Sequence, residues 1–222
     1  MAAVDGQTEV AHALTRRHFL AHYERPTHLA DVDIAALDPC LRTLLYTDGT
    51  ITRTLEVLTL NGVRVEVVEQ HPCPPPEYAE RYLQLDGGED CIERRVRMTV
   101  GGSETPVVWA ESHIIPDRLP DHFLEVLGAS PEGIGESLQQ LMLECARELL
   151  WFGLGAPPDW VTDAAVPQVL TRLYRVTSDG ETALLIAESF AVEMKSGLYG
   201  LAHPDGYAAS PPRAVEGHNG LQ

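Results

Sequence analysis

Four stretches of this 222-residue chain alternate between apolar and polar side chains and are tied in pairs by turn sequences. CIERRVRMTV runs through GGSETP into VVWAESHII, and LTRLYRV runs through SDGE into ALLIAESFAV. Alternation sends successive side chains to opposite faces of a strand. A short turn joins antiparallel neighbours, because parallel ones need a long crossover. VRVEVVEQ, after the turn signal Asn61-Gly62, adds another alternating strand. The pattern favours an antiparallel sheet with helices packed on one side, an α+β fold.

The remaining segments supply the helices. Residues 8–25 predict an amphipathic helix with Val10, Leu14, Phe19 and Leu20 on one side, stopped by Pro26. In DPCLRTLLYTDG, Asp38 suits the N-cap and Pro39 the first helical position, with Leu41, Leu44 and Leu45 as the buried stripe. TITRTLEVL reads as a short helix. Residues 71–90 contain HPCPPPE and DGGED and read as loop. Two further helices are expected over 119–127 and 133–151, the latter on the spacing of Leu138, Leu141, Met142, Cys145 and Leu149. The expected organisation is an N-terminal helical extension over 1–37, one domain over 38–196 and a disordered Gly- and Pro-containing tail over 197–222.

Charge narrows the partners. The net charge of -17 and the absence of a basic cluster argue against nucleic acid and against anionic membrane surfaces. No apolar run approaches the ~20 residues of a membrane helix. Cys40, Cys73, Cys91 and Cys145 form no CxxC pair, so a zinc site is not expected. No signal-peptide pattern opens the sequence, and free thiols in a reducing cytoplasm are the expectation.

Two residues break the pattern of their own strands. Ile92, Arg94, Val96 and Met98 share a face, so Arg94 is a lone cation in an apolar row, whereas Arg95 and Arg97 lie on the solvent side. Leu184, Ile186, Glu188 and Phe190 share a face, so Glu188 is a lone acid in another. A buried charge needs a partner. Either Arg94 and Glu188 pair with each other as a structural bridge, or both line a cavity and meet a ligand. Other candidates are weaker. His18 and His22 lack the Glu of HExxH. His113 reads as a packing or surface histidine. The amides opening GIGES, at Ile134 and Gly135, suit an anion but also ordinary capping. No GxGxxG, Walker or GxSxG pattern is present.

The ordered series LRTLLYTDGTITRTLEVLTLNGVRVEVVEQ, ERRVRM, WAESHIIPDRLP, GIGESL, RLYRV and LLIAESF resembles the chorismate pyruvate-lyase family over about residues 38–192. The likeness is to its cyanobacterial and actinobacterial branch. The resemblance implies a sheet of about six strands with helices and flaps over an internal cavity. It implies conversion of chorismate to 4-hydroxybenzoate and pyruvate with no metal or organic cofactor. It places the carboxylate-binding arginine at Arg94, the glutamate beside the ring hydroxyl at Glu188, the assisting amide at Ile134 and the residue over the ring at Ile51. Where the ubiquinone-pathway enzymes carry Gly-Arg, this chain has Glu111-Ser112, so the polar end of the cavity at Ser112 differs. Chorismate has two carboxylates, and Arg175 in LYRV is the expected second cation. The rival readings are a tailoring enzyme of secondary metabolism, such as a cyclase, and a non-catalytic small-molecule-binding module on the same scaffold.

Overall fold

The computed structural model describes residues 2–130, 133–162 and 166–192. Its centre is a six-stranded sheet in the order β1-β2-β3-β6-β5-β4, with every neighbouring pair antiparallel. The strands are β1 (Val63–Cys73), β2 (Cys91–Val100), β3 (Val108–Ile114), β4 (Cys145–Gly155), β5 (Val169–Ser178) and β6 (Glu181–Ala191). Both turn-linked pairs form the expected hairpins. The α+β class and the count of about six strands hold.

Over one face lie α2 (Pro39–Tyr46), α3 (Ile51–Thr59), α5 (Phe123–Ala129) and α6 (Ile134–Gln140). Asp38 caps α2 by accepting from the Cys40 amide at 2.8 Å, and Leu41, Leu44 and Leu45 are buried. They share a core with Leu184, Ile186 and Phe190 of β6. The helix α1 (Ala2–His18) ends earlier than expected. It leaves Val10 exposed and buries Ala11 instead, and just beyond it Phe19 is buried as expected while Leu20 is exposed. The chain beyond it runs along the free edge of β4, where the Leu20 and Ala21 amides donate to the carbonyls of Leu149 and Leu150, both at 2.9 Å. An otherwise open sheet edge is thereby covered. No helix among the described residues is long and apolar enough to cross a membrane.

Three further expectations are corrected. Residues 71–90 are not all loop: β1 reaches Cys73, and α4 (Glu77–Leu83) follows the proline run. Ala79 and Leu83 of α4 pack with Cys91, Leu173 and Leu185 on the second face of the sheet, so helices cover both faces rather than one. The long helix over 133–151 does not form. α6 stops at Gln140, Met142 takes a left-handed φ of 50°, and β4 begins at Cys145. The helical spacing of apolar residues was a coincidence of a short helix and a strand read as one. No glycine marks the break, because a non-glycine residue takes the left-handed turn.

One irregularity positions the site. β1 carries a bulge between Val67 and Glu69, after which Gln70 stands opposite Arg94.

Candidate active site

Side chains from the sheet and from the starts of two helices converge on one enclosed space. Along the register, Arg94 on β2 stands beside Ser112 on β3, Ser112 beside Ile186 on β6, and Ile186 beside Tyr174 on β5. These four side chains therefore form one row on one face. Glu188 lies in the next row, beside Ala110 and Arg172. Ile51 opens α3 and Ile134 opens α6, and both close over the row. Gly133 precedes α6 with a φ of 86°, and a Cβ at Gly135 would lie 2.6 Å from Cγ2 of Thr50, the residue that precedes α3. Glycine thus lets the two helix starts meet above the sheet.

The space so enclosed is about 50 Å³ and is lined by Ile51, Arg94, Ser112, Ile134, Gly135 and Glu188. These are six of the seven residues the sequence pointed to. An engineered cavity of about 150 Å³ is what holds a benzene, so the space as it stands is smaller than a ring fills. An outer groove of about 560 Å³ adjoins the cavity through Gly49, Thr50, Gly135, Leu138 and Arg147.

The electrostatics separate the two charges singled out by the face test. Arg94 is 4% exposed. Its hydrogen-bond partner is the side-chain carbonyl of Gln70, which is neutral. Burial pulls its pKa down, and among the described residues no carboxylate pairs with it. Glu188, also 4% exposed, pairs with Arg172 instead: Nε and Nη2 of Arg172 both lie 2.8 Å from Oε2. The Tyr174 hydroxyl donates to Oε1 at 3.1 Å. Burial and the adjacent carboxylate hold the Tyr174 phenol well above its usual range, so it remains an O–H donor. Arg172 is fixed from behind by donating to the carbonyls of Leu45 at 3.1 Å and Thr47 at 2.7 Å. An Arg94–Glu188 bridge is therefore not what the structure contains.

Arg175 is not brought to the cavity. It lies one residue out of phase with Tyr174 and Val176 and pairs with Glu148 at 2.8 Å. Arg172 was missed, although Leu170, Arg172, Tyr174 and Val176 make the same apolar row with one charge that identified Arg94. Arg147 also lines the cavity. It lies in β4, where the expectation of a helix concealed the face it occupies.

On the other side of the sheet, Glu93, Glu111 and His113 come close enough to share a cation, as do Glu69, His71 and Glu93. Arg95 already occupies that position, 3.0 Å from Glu93, 3.0 Å from Glu111 and 3.1 Å from Glu69. Arg95 is thus part of a half-buried ion network rather than a solvated charge. His113 is buried, edge-on to Tyr78 at 5.6 Å.

An antiparallel sheet with helices closing over a small charged cavity defines an α+β protein with an internal cavity. Residues 45–198 match the family described as chorismate pyruvate-lyase Rv2949c-like, and the chain belongs to that family. It is 29% identical over 168 residues to the chorismate pyruvate-lyase of Mycobacterium tuberculosis, covering 73% of this chain and 84% of that protein. It is 26% identical over 166 residues to the chorismate pyruvate-lyase of Mycobacterium leprae, covering 73% of this chain and 79% of that protein. Among solved structures, the effector domain of PhnF from Mycobacterium smegmatis superposes with a TM-score of 0.50 at 14% identity, covering 64% of this chain and 88% of that one. This last likeness is one of fold alone.

Proposed function

We propose that this protein is a chorismate pyruvate-lyase that releases 4-hydroxybenzoate and pyruvate. The observation that carries the reading is Arg94: a buried guanidinium facing a cavity, with a neutral amide for its partner. A buried cation lacking a carboxylate is stabilised by a ligand that brings one.

Chorismate is one elimination away from an aromatic ring. The C4 proton leaves, its electron pair completes the ring, and the C3–O bond breaks to release enolpyruvate, which becomes pyruvate on protonation. Aromatisation drives the reaction, so the protein contributes mainly orientation and electrostatics. In this reading Arg94 clamps the ring carboxylate. The Ile134 amide assists, since a first-turn amide has no acceptor within its own helix. Ile51 lies over the ring, and Ser112 and Gly135 complete the wall. Glu188, immobilised by Arg172 and Tyr174, accepts a hydrogen bond from the 4-hydroxyl and is the carboxylate of the cavity wall available for the C4 proton.

The test is incubation of pure, chelator-treated protein with chorismate, following pyruvate and 4-hydroxybenzoate by chromatography. Equal yields of both, above the uncatalysed rate, are expected. A folded protein that gives neither would overturn the reading and favour binding or tailoring of another anionic ring.

A further inference from the structure

Arg147 stands where the inner cavity meets the outer groove, and it lines both. Its guanidinium donates to the backbone carbonyl of Asp48 at 2.9 Å, and among the described residues it pairs with no carboxylate. The neighbouring arginines are committed elsewhere. Arg172 is held by Glu188, Arg175 by Glu148, and Arg53 reaches Gln139 at 2.8 Å and Glu136 at 3.8 Å. The cavity therefore carries a cation on β2 and another on β4, with β3, β6 and β5 between them.

We propose that the site is built for a dicarboxylate, with Arg94 holding the ring carboxylate inside and Arg147 holding the carboxylate of the enolpyruvyl arm at the mouth. The assignment rests on the reading of the chain as a chorismate lyase. Charge follows the departing fragment: as the C3–O bond breaks, electron density moves onto the ether oxygen of a group that already carries a carboxylate. A cation at the mouth stabilises that fragment and lies on its way out through the groove. The aromatic product keeps one carboxylate, so Arg147 separates substrate from product where Arg94 does not.

The test compares wild type with Arg147→Gln and Arg147→Lys, after melting curves establish that each is folded. Chorismate kinetics and the binding of 4-hydroxybenzoate are measured on all three. Arg147→Gln is expected to raise KM for chorismate roughly tenfold to a hundredfold, the range of a lost charge-assisted contact. It should leave the Kd of 4-hydroxybenzoate within about twofold. Arg147→Lys should recover part of the KM. An unchanged KM in Arg147→Gln overturns the proposal, as does equal weakening of both ligands, which marks a structural role. Wild-type protein that does not consume chorismate overturns the parent reading and this assignment with it, and that outcome is distinct from a wild type that turns over and a variant that matches it.

Discussion

Arg172 brings two nitrogens to a single oxygen of Glu188, both at 2.8 Å, and so takes the counter-ion that the apolar row of β6 offers. With Arg172 1% exposed and Glu188 4% exposed, the pair is fully desolvated. Its members are bound to each other, and Arg94 is left to face the cavity with an amide.

Arg172→Met should strand a buried carboxylate. Breaking such a pair from one side costs about 3–5 kcal/mol, which for a chain of this size lowers the thermal midpoint by roughly 6–20 °C. Scanning calorimetry checks it; a shift of only a degree or two would mean that the pair orients Glu188 without stabilising the fold.

Arg94→Met should do the reverse to stability. It removes a buried cation that has no carboxylate, so the midpoint stays or rises, while kcat/KM for chorismate falls roughly 10²–10³-fold. A lowered midpoint would instead identify Arg94 as a structural residue.

Glu188→Gln keeps the shape and removes the charge. The expected result is a kcat lower by at least about tenfold and a smaller loss of affinity for 4-hydroxybenzoate, whose hydroxyl can still donate to the amide oxygen, because the charge acts mainly on the reacting proton. Equal kcat in variant and wild type would take Glu188 out of the chemistry.

Acid should destabilise the fold through His113. Burial lowers its pKa from 6.5 and nearby Arg95 lowers it further, against an opposing contribution from Glu111. The unfolded chain then binds the proton more readily than the folded one. Stability is therefore fully present above 6.5 and is lost as pH falls through that value toward the depressed folded pKa. Melting temperatures taken across this window should fall less steeply for His113→Gln than for wild type; parallel curves would assign the acid sensitivity to the carboxylates.

Much of this was legible in the sequence, because a period of two reveals itself locally. The alternation of CIERRVRMTV and of ALLIAESFAV placed Arg94 and Glu188 on buried faces before any partner was known. Which charge pairs with which is a matter of strand order, and the neighbours β3, β6 and β5 come from distant parts of the chain. Arg172 was legible by the same test and lies on β5, between β6 and β4. Arg147 was not, since the apolar residues on either side of Met142 fit a helical period although the backbone reverses there. α4 was hidden by its setting, a seven-residue helix between a proline run and a glycine pair.

The extra residue in β1 sets the chemistry of the cavity by counting alone. Val67 stands opposite Val96, so an unbroken ladder would carry Glu69 to the place across from Arg94. The insertion works as a frameshift: Gln70 takes that place, and Glu69 is turned outward to meet Arg95. Gln70→Glu should give Arg94 the internal acid that the bulge withholds, closing the pocket to anions although every residue that lines it is unchanged. Calorimetric titration with 4-hydroxybenzoate reads this directly, and undiminished binding by the Gln70→Glu variant would show that Arg94 is kept open by something other than the neutrality of its neighbour.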